Sequence, residues 1–143
     1  MPKFAANLTM MFNEVPFLDR FAAAKAAGLE AVELLSPYEH PKEAVAAAAK
    51  AAGVQVVLHN AALGNFAAGE RGLGALPSRV TDFNAAMDQA FDYAKALSCP
   101  RLHVMCGRRH ELAIRDVFVS NLKHQAGRAA EASIKLVIEL INT

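Results

Sequence analysis

Short apolar runs suited to strands alternate along this chain with longer alanine-rich stretches suited to helices, and a chain patterned that way folds as parallel βαβ units with right-handed crossovers. Residues 4–9 form the first strand candidate, and the helix after it opens near Pro16 and stops before Gly28, since proline suits a first helical turn and glycine its exit. Residues 31–35 form a second strand ended by Ser36-Pro37, Pro41 opens a helix that closes at Gly53, and residues 54–59 are a third strand. Val80, Phe83, Met87, Ala90, Ala94 and Leu97 recur at spacings of 3, 4, 3, 4 and 3, which puts them on one helical face. Residues 102–106 make a fourth strand, 111–130 a fourth helix and 135–141 a fifth strand. Between residues 60 and 79 no period is sustained, and Gly64, Gly69, Gly72, Gly74 and Pro77 mark a long functional loop or one holding a short helical turn.

Two architectures compete for such a pattern, an open doubly wound sheet and part of a (β/α)8 barrel. The strand starts average about 33 residues apart, so eight units would need about 260, close to the roughly 250 of a complete barrel. The expectation is therefore an α/β fold and a single domain over residues 1–143: a partial (β/α)8 barrel of about four βα units plus a fifth strand, its parallel sheet covered by helices. Composition agrees. The 143 residues are 54% hydrophobic and 20% charged, which excludes a disordered chain, and the 30 alanines favour helix.

A formal net charge of +1 removes the broad basic footprint of a nucleic-acid binder, and Arg108-Arg109-His110 is too short a basic run to restore it. No apolar stretch reaches the roughly 18 residues of a membrane span, and Met1-Pro2-Lys3 opens no signal-peptide pattern. A cytoplasmic protein without membrane or nucleic-acid partners is expected. Cys99 and Cys106 are seven apart, a spacing that fits neither a zinc motif nor a redox pair, and both are expected to be buried, unpaired thiols.

Ligands of parallel α/β folds bind at the carboxyl ends of the strands, so polar residues there carry the functional reading. Glu139 lies late in an apolar run, where an ionised carboxylate is costly to bury without a partner. Glu33 is a second strand carboxylate, and His103 a partner or ligand for either. By the two-residue period, Asn7, Glu33, Asn60, His103 and Glu139 share one interior; each alone suits a satisfied core hydrogen bond, and together they suggest a polar cavity. His59, next to Asn60, reads better as a packing or supporting histidine. In the loop, Gly69-Glu70-Arg71-Gly72 sets a charge pair between glycines, where Arg71 has the fork to clamp a carboxylate or simply forms a solvated pair with Glu70. Neither GxGxxG nor GxxxxGK[ST] occurs, which disfavours a nucleotide cofactor, and no GxSxG elbow or HExxH pair supports covalent or zincin hydrolysis.

Several segments together resemble a known family. Phe4-Ala5-Ala6-Asn7-Leu8-Thr9-Met10-Met11-Phe12, then Gly69-Glu70-Arg71-Gly72-Leu73 with Ala75-Leu76-Pro77, Leu102-His103-Val104-Met105, and Val137-Ile138-Glu139 with Ile141-Asn142-Thr143 are similar to hydroxypyruvate isomerases of the xylose-isomerase-like sugar isomerase/epimerase barrels. The likeness runs in order over the whole chain and covers the N-terminal portion of that barrel. It implies interconversion of hydroxypyruvate and tartronate semialdehyde through an enediolate, with two strand-end glutamates around a divalent metal, Mg²⁺ or Mn²⁺. Glu139 matches the first glutamate, as metal ligand and acid/base catalyst. Glu70 and Arg71 match the loop over the substrate, His103 a strand-end histidine near the site, and Asn7 and Asn60 are candidate substrate contacts. The second glutamate and the remaining ligands belong to later strands. The pattern after Asn60 departs from the family's Pro-x-Gly-Asp, reading Ala61-Ala62-Leu63-Gly64-Asn65, and the loop after the fourth strand is short. Open edges at the first and fifth strands point to a homo-oligomer around a small hydroxy-carbonyl acid or sugar-like substrate. The alternative is a non-catalytic half-barrel, a scaffold or binding module, and an abasic-site endonuclease of the same superfamily fits less well because it calls for more metal-binding histidines and a basic groove.

Overall fold

The computed structural model describes residues 2–108 and 114–139. Five parallel strands, β1 (Ala5–Asn7), β2 (Ala31–Leu34), β3 (Gln55–Ala61), β4 (Arg101–Val104) and β5 (Lys135–Val137), lie in the order β1-β2-β3-β4-β5. They alternate with α1 (Arg20–Ala26), α2 (Lys42–Ala52), α3 (Val80–Ala96) and α4 (Arg115–Glu131). Strictly sequential order decides between the two architectures, because a doubly wound sheet reverses its strand order at a switch point and a barrel does not. The sheet is an arc of a barrel, with β1 and β5 at its edges.

Four of the strands are shorter than the apolar runs that announce them, because pairing stops where the chain bends into loops, whereas β3 continues two residues past His59 to Ala61. The expected start of the fourth helix at residue 111 and the end of the last strand at residue 141 lie outside the described residues. The loop at residues 60–79 holds two 3-10 turns, Phe66–Ala68 and Pro77–Arg79.

One face of the sheet is covered. Ala6, Val32, Leu34, Val56, Ala61, Leu102 and Val104 pack with Phe21, Ala24, Val45, Phe83, Met87, Ala90 and Ala94 from the helices in one core. The helical stripe on α3 behaves as its spacing requires, with Phe83, Met87, Ala90, Ala94 and Leu97 buried and Val80 half-buried at the helix start. Helix α4 is different: its buried face carries Asn121 and Gln125. These bond to the Gly74 carbonyl (2.9 Å) and the Asn84 side chain (2.8 Å), so α4 docks through paired polar groups together with Ala129, Phe118 and Leu122, which pack on the core.

All four helix-to-strand joints close alike. The amides of Leu29, Val54, Cys99 and Ile134 return to the carbonyls of Ala24, Ala49, Ala94 and Ala129 at 2.8–3.1 Å, the six-to-one bond of a Schellman cap. The left-handed residue of each joint is Gly28, Gly53, Ser98 and Ser133, with φ of 85°, 66°, 50° and 56°. The first two are the glycine stops legible in the sequence; the last two put serine where glycine is easier.

The cysteines divide. Both are free, Cys99 buried as expected beneath the sheet and Cys106 exposed. Cys106 has left β4 and lies where the glycine-rich loop meets the strand end, outside the core. Among the described residues no helix is long and apolar enough to cross a membrane.

Candidate active site on the concave face

Strand register defines the uncovered face. Asn7 pairs with Glu33, Asn60 with His103, and His103 with Val137, two residues before Glu139. Their neighbours Ala6, Val32, Ala61, Leu102 and Val104 belong to the helix-side core, so by alternation these polar residues face the other way. The arrangement depends on an irregularity in β3. Val32 pairs with Val56 but Glu33 with Leu58, so Val57 is an extra, bulged residue. Val54 and Val56 before it and His59 and Ala61 after it are all buried, and the bulge inverts the parity that makes this possible.

The concave residues form two hydrogen-bonded pairs. Asn7 Nδ2 donates to Glu33 Oε1 at 3.0 Å, and Asn7 Oδ1 accepts the Thr9 amide at 3.0 Å, so this side chain is fixed at both ends. His103 Nδ1 lies 3.0 Å from Asn60 Oδ1, and Asn60 Nδ2 faces the Met105 thioether at 3.6 Å. Burial holds the His103 imidazole below the ordinary histidine range, against the opposing pull of the Glu139 and Glu33 carboxylates. Glu139 is exposed at the carboxyl end of β5.

His59 lies on the other side of the sheet. It is fully buried, its Nδ1 is 3.2 Å from both the Tyr38 hydroxyl and the Asn60 carbonyl, and its Nε2 has no partner. Desolvation lowers its pKa to about 4. The Tyr38 hydroxyl donates to the same Asn60 carbonyl at 2.6 Å. Asn60 is therefore gripped by its backbone from the helix side and by its side chain from the concave side. Tyr38 and Met105 were not singled out from the sequence, and only contacts across 22 and 45 residues reveal them.

The loop that follows β3 is stitched across the strand ends. The amides of Leu73, Gly74 and Ala75 donate to the carbonyls of Ala62, Met105 and Cys106 at 2.9, 3.1 and 2.7 Å, and Gly72 forms an antiparallel bridge with Cys106. Glu70 and Arg71, read as a charge pair, do not pair with each other. Glu70 accepts from the Asn65 amide and from Arg79 Nη1, and these bonds, the amide first, hold its carboxyl below the usual range. Arg79, which no sequence pattern marks, bridges on to Asp82. The turn at Pro77–Arg79 brings the Arg79 guanidinium back to Glu70, nine residues earlier in the chain. Arg71 instead lies 3.8 Å over the Phe66 ring, with Nη1 donating to the Phe66 and Glu70 carbonyls at 3.1 and 2.7 Å.

Among the described residues, no three His, Cys, Asp or Glu side chains converge to hold a metal ion. Glu139 offers one hard oxygen donor of the kind Mg²⁺ and Mn²⁺ accept, and a full coordination shell needs further donors.

Comparison with known proteins agrees with this geometry. A family model described as Xylose isomerase-like TIM barrel matches residues 21–143. The chain is 47% identical to the 2-oxo-tetronate isomerase of Cupriavidus necator, over 100% of this chain and 56% of that protein. It is 43% identical to a Mus musculus protein named "Putative hydroxypyruvate isomerase", over 99% of this chain and 54% of that one. A crystal structure described as AP endonuclease, family 2, from Brucella melitensis superposes with a TM-score of 0.94 at 41% identity, covering 100% of this chain and 57% of that chain. The chain thus spans a little over half the length of the relatives it matches. With a sequentially ordered parallel arc, polar residues gathered at its strand ends and a family match over most of its length, the chain belongs to the xylose isomerase-like TIM barrel family.

Proposed function

We propose that this chain is the N-terminal arc of an isomerase site for small hydroxy-oxo carboxylic acids, of which hydroxypyruvate and 2-oxo-tetronate are the candidates its relatives' names supply. The observation that carries the reading is the gathering of Asn7, Glu33, Asn60 and His103 on one face beside Glu139. Aldose–ketose isomerisation moves one proton between adjacent carbons and one between their oxygens, so it calls for a carboxylate base beside hydrogen-bonding groups. Glu139, exposed at the end of β5, takes the proton from the hydroxyl-bearing carbon and returns it to its neighbour. Asn7 and His103 orient the substrate oxygens, with Glu33 fixing Asn7 and Asn60 fixing His103. Arg71, its ring-stacked guanidinium held by two carbonyls, meets the substrate carboxylate, with Glu70 and Arg79 bracing its loop.

Glu139 would also be one ligand of a Mg²⁺ or Mn²⁺ ion completed by donors outside this arc. Such an ion, when bound, polarises carbonyl and hydroxyl oxygens. Among the described residues β1 and β5 are the edges of the sheet, and such edges favour pairing with a second copy, so the reading includes a homo-oligomer that completes the enclosure and a cytoplasmic location. The deciding experiment incubates the chain with Mn²⁺ and hydroxypyruvate or 2-oxo-tetronate, follows isomerisation by NMR, and measures sedimentation at micromolar concentration. Turnover that Glu139→Gln abolishes while the fold persists supports the enzyme. An intact assembly with no turnover on either acid supports the alternative, a non-catalytic half-barrel acting as scaffold or binding module, and a stable monomer refutes the oligomer.

A further inference from the structure

The Asn60–His103 pair carries more information than a contact. Asn60 Nδ2 points at the Met105 thioether, a weak acceptor with no proton to give. The reverse amide orientation would set Oδ1 against the sulfur lone pairs, so Oδ1 faces His103 Nδ1. A carbonyl oxygen only accepts, so Nδ1 must carry the proton. In a neutral imidazole the other nitrogen is then a bare acceptor. Burial keeps this ring on the neutral side. Among the described residues the His103 side chain makes its hydrogen bond through Nδ1, and its neighbours Leu102 and Val104 belong to the helix-side core, so the buried ring is directed to the concave face with Nε2 as the acceptor left for a ligand.

The grip on Asn60 makes this arrangement stiff. Its carbonyl takes the Tyr38 hydroxyl at 2.6 Å and lies 3.2 Å from His59 Nδ1, which pins the backbone from which the amide projects. We infer that Asn60 is a positioning residue that fixes His103 as its Nδ1–H tautomer, so that Nε2 accepts a hydrogen bond from a ligand hydroxyl and selects hydroxy acids over the same acids lacking that group. This deepens the isomerase reading and rests on it for the location of the ligand. The tautomer itself does not.

Long-range ¹H–¹⁵N correlation spectra of the ¹⁵N-labelled chain test it. His103 should show a protonated Nδ1 and an unprotonated Nε2, and titration with tartronate should shift the Nε2 resonance while malonate, which differs by the hydroxyl alone, should not. Asn60→Leu should release the tautomer and weaken tartronate binding by about threefold to tenfold, the worth of one hydrogen bond, with malonate unchanged. Asn60→Asp, which keeps an acceptor at the position, should restore the Nδ1–H form and covers the case in which Asn60→Leu does not fold. An Nε2–H tautomer in the wild-type chain overturns the positioning role. An Nε2 resonance indifferent to tartronate, or equal responses to both acids, overturns the hydroxyl selection. Neither result depends on turnover: the tautomer with no isomerisation would sink the isomerase reading alone, and isomerisation with the opposite tautomer would sink this one alone.

Discussion

Replacing Gly72 by alanine tests how the concave site keeps its wall. Gly72 has φ +123°, and a Cβ added there would meet the Met105 carbonyl carbon at 2.4 Å, its oxygen at 2.5 Å and the Gly107 nitrogen at 2.7 Å. All three are backbone atoms at the end of β4, so none can swing aside. A backbone conformation largely reserved for glycine costs about 1–3 kcal/mol for any other residue. The clash then forces the loop away from β4, breaking the Gly74 to Met105 and Ala75 to Cys106 hydrogen bonds at about 0.5–1.5 kcal/mol each. Together the loss is about 2–6 kcal/mol. Gly69 is the internal control, because at φ +93° nothing lies within 4 Å of its added Cβ, and Gly69→Ala should cost only about 1–2 kcal/mol of left-handed strain. Urea denaturation of both variants gives the difference, and hydrogen exchange at Gly74 and Ala75 locates it, with exchange at least about tenfold faster in Gly72→Ala for each 1.4 kcal/mol lost. Equal midpoints for the two variants, or unchanged protection at Gly74 and Ala75, would refute the account of the loop as a fixed wall.

Two further outcomes follow from burial and backbone conformation. Ser98→Gly and Ser133→Gly should each stabilise the chain by about 0.5–1 kcal/mol, because both serines hold left-handed φ at helix exits where glycine is unstrained; thermal melts that show no gain in either would count against the shared cap. His59 should make the fold acid-sensitive. Its folded pKa of about 4 lies below the ordinary 6.5, so the unfolded chain binds the extra proton first: stability is full above about pH 6.5, falls as pH drops toward 4, and levels off below it, a loss of roughly 3 kcal/mol. In His59→Gln that part of the pH dependence should vanish from urea midpoints measured between pH 4 and 7.

Much of the architecture was legible because it is local. The apolar stripe on α3, the stops at Gly28 and Gly53 and the alternation of strands with helices are properties of short windows, and the spacing of the units pointed to a barrel arc before any contact was known. Strand alternation also places Asn7, Glu33, His103 and Glu139 together, whereas Asn60, expected with them, reaches that face only through the bulge in β3. Other features had no local signature. Cys106 resembles a buried thiol in an apolar run, and only the departure of the chain from β4 exposes it. Glu70 and Arg71 look like a pair because they are adjacent, yet the turn at Pro77–Arg79 supplies the actual partner nine residues away.

The third strand marks the boundary most sharply. Sequence alone determined that residues 54–59 form a strand with buried valines, since β-branched runs of that length have few other uses. Counting in twos from Val54 and Val56 would carry Asn60 to the helix side and turn His59 into the open face. Only the tertiary structure decided otherwise: the bulge at Val57 shifts the pleat by one residue, buries His59 beside Tyr38 and delivers Asn60 to His103. A two-residue period fixes which side chains share a face within an unbroken strand, but the register against a neighbouring strand decides where that period breaks, and that register is set by packing between segments more than twenty residues apart.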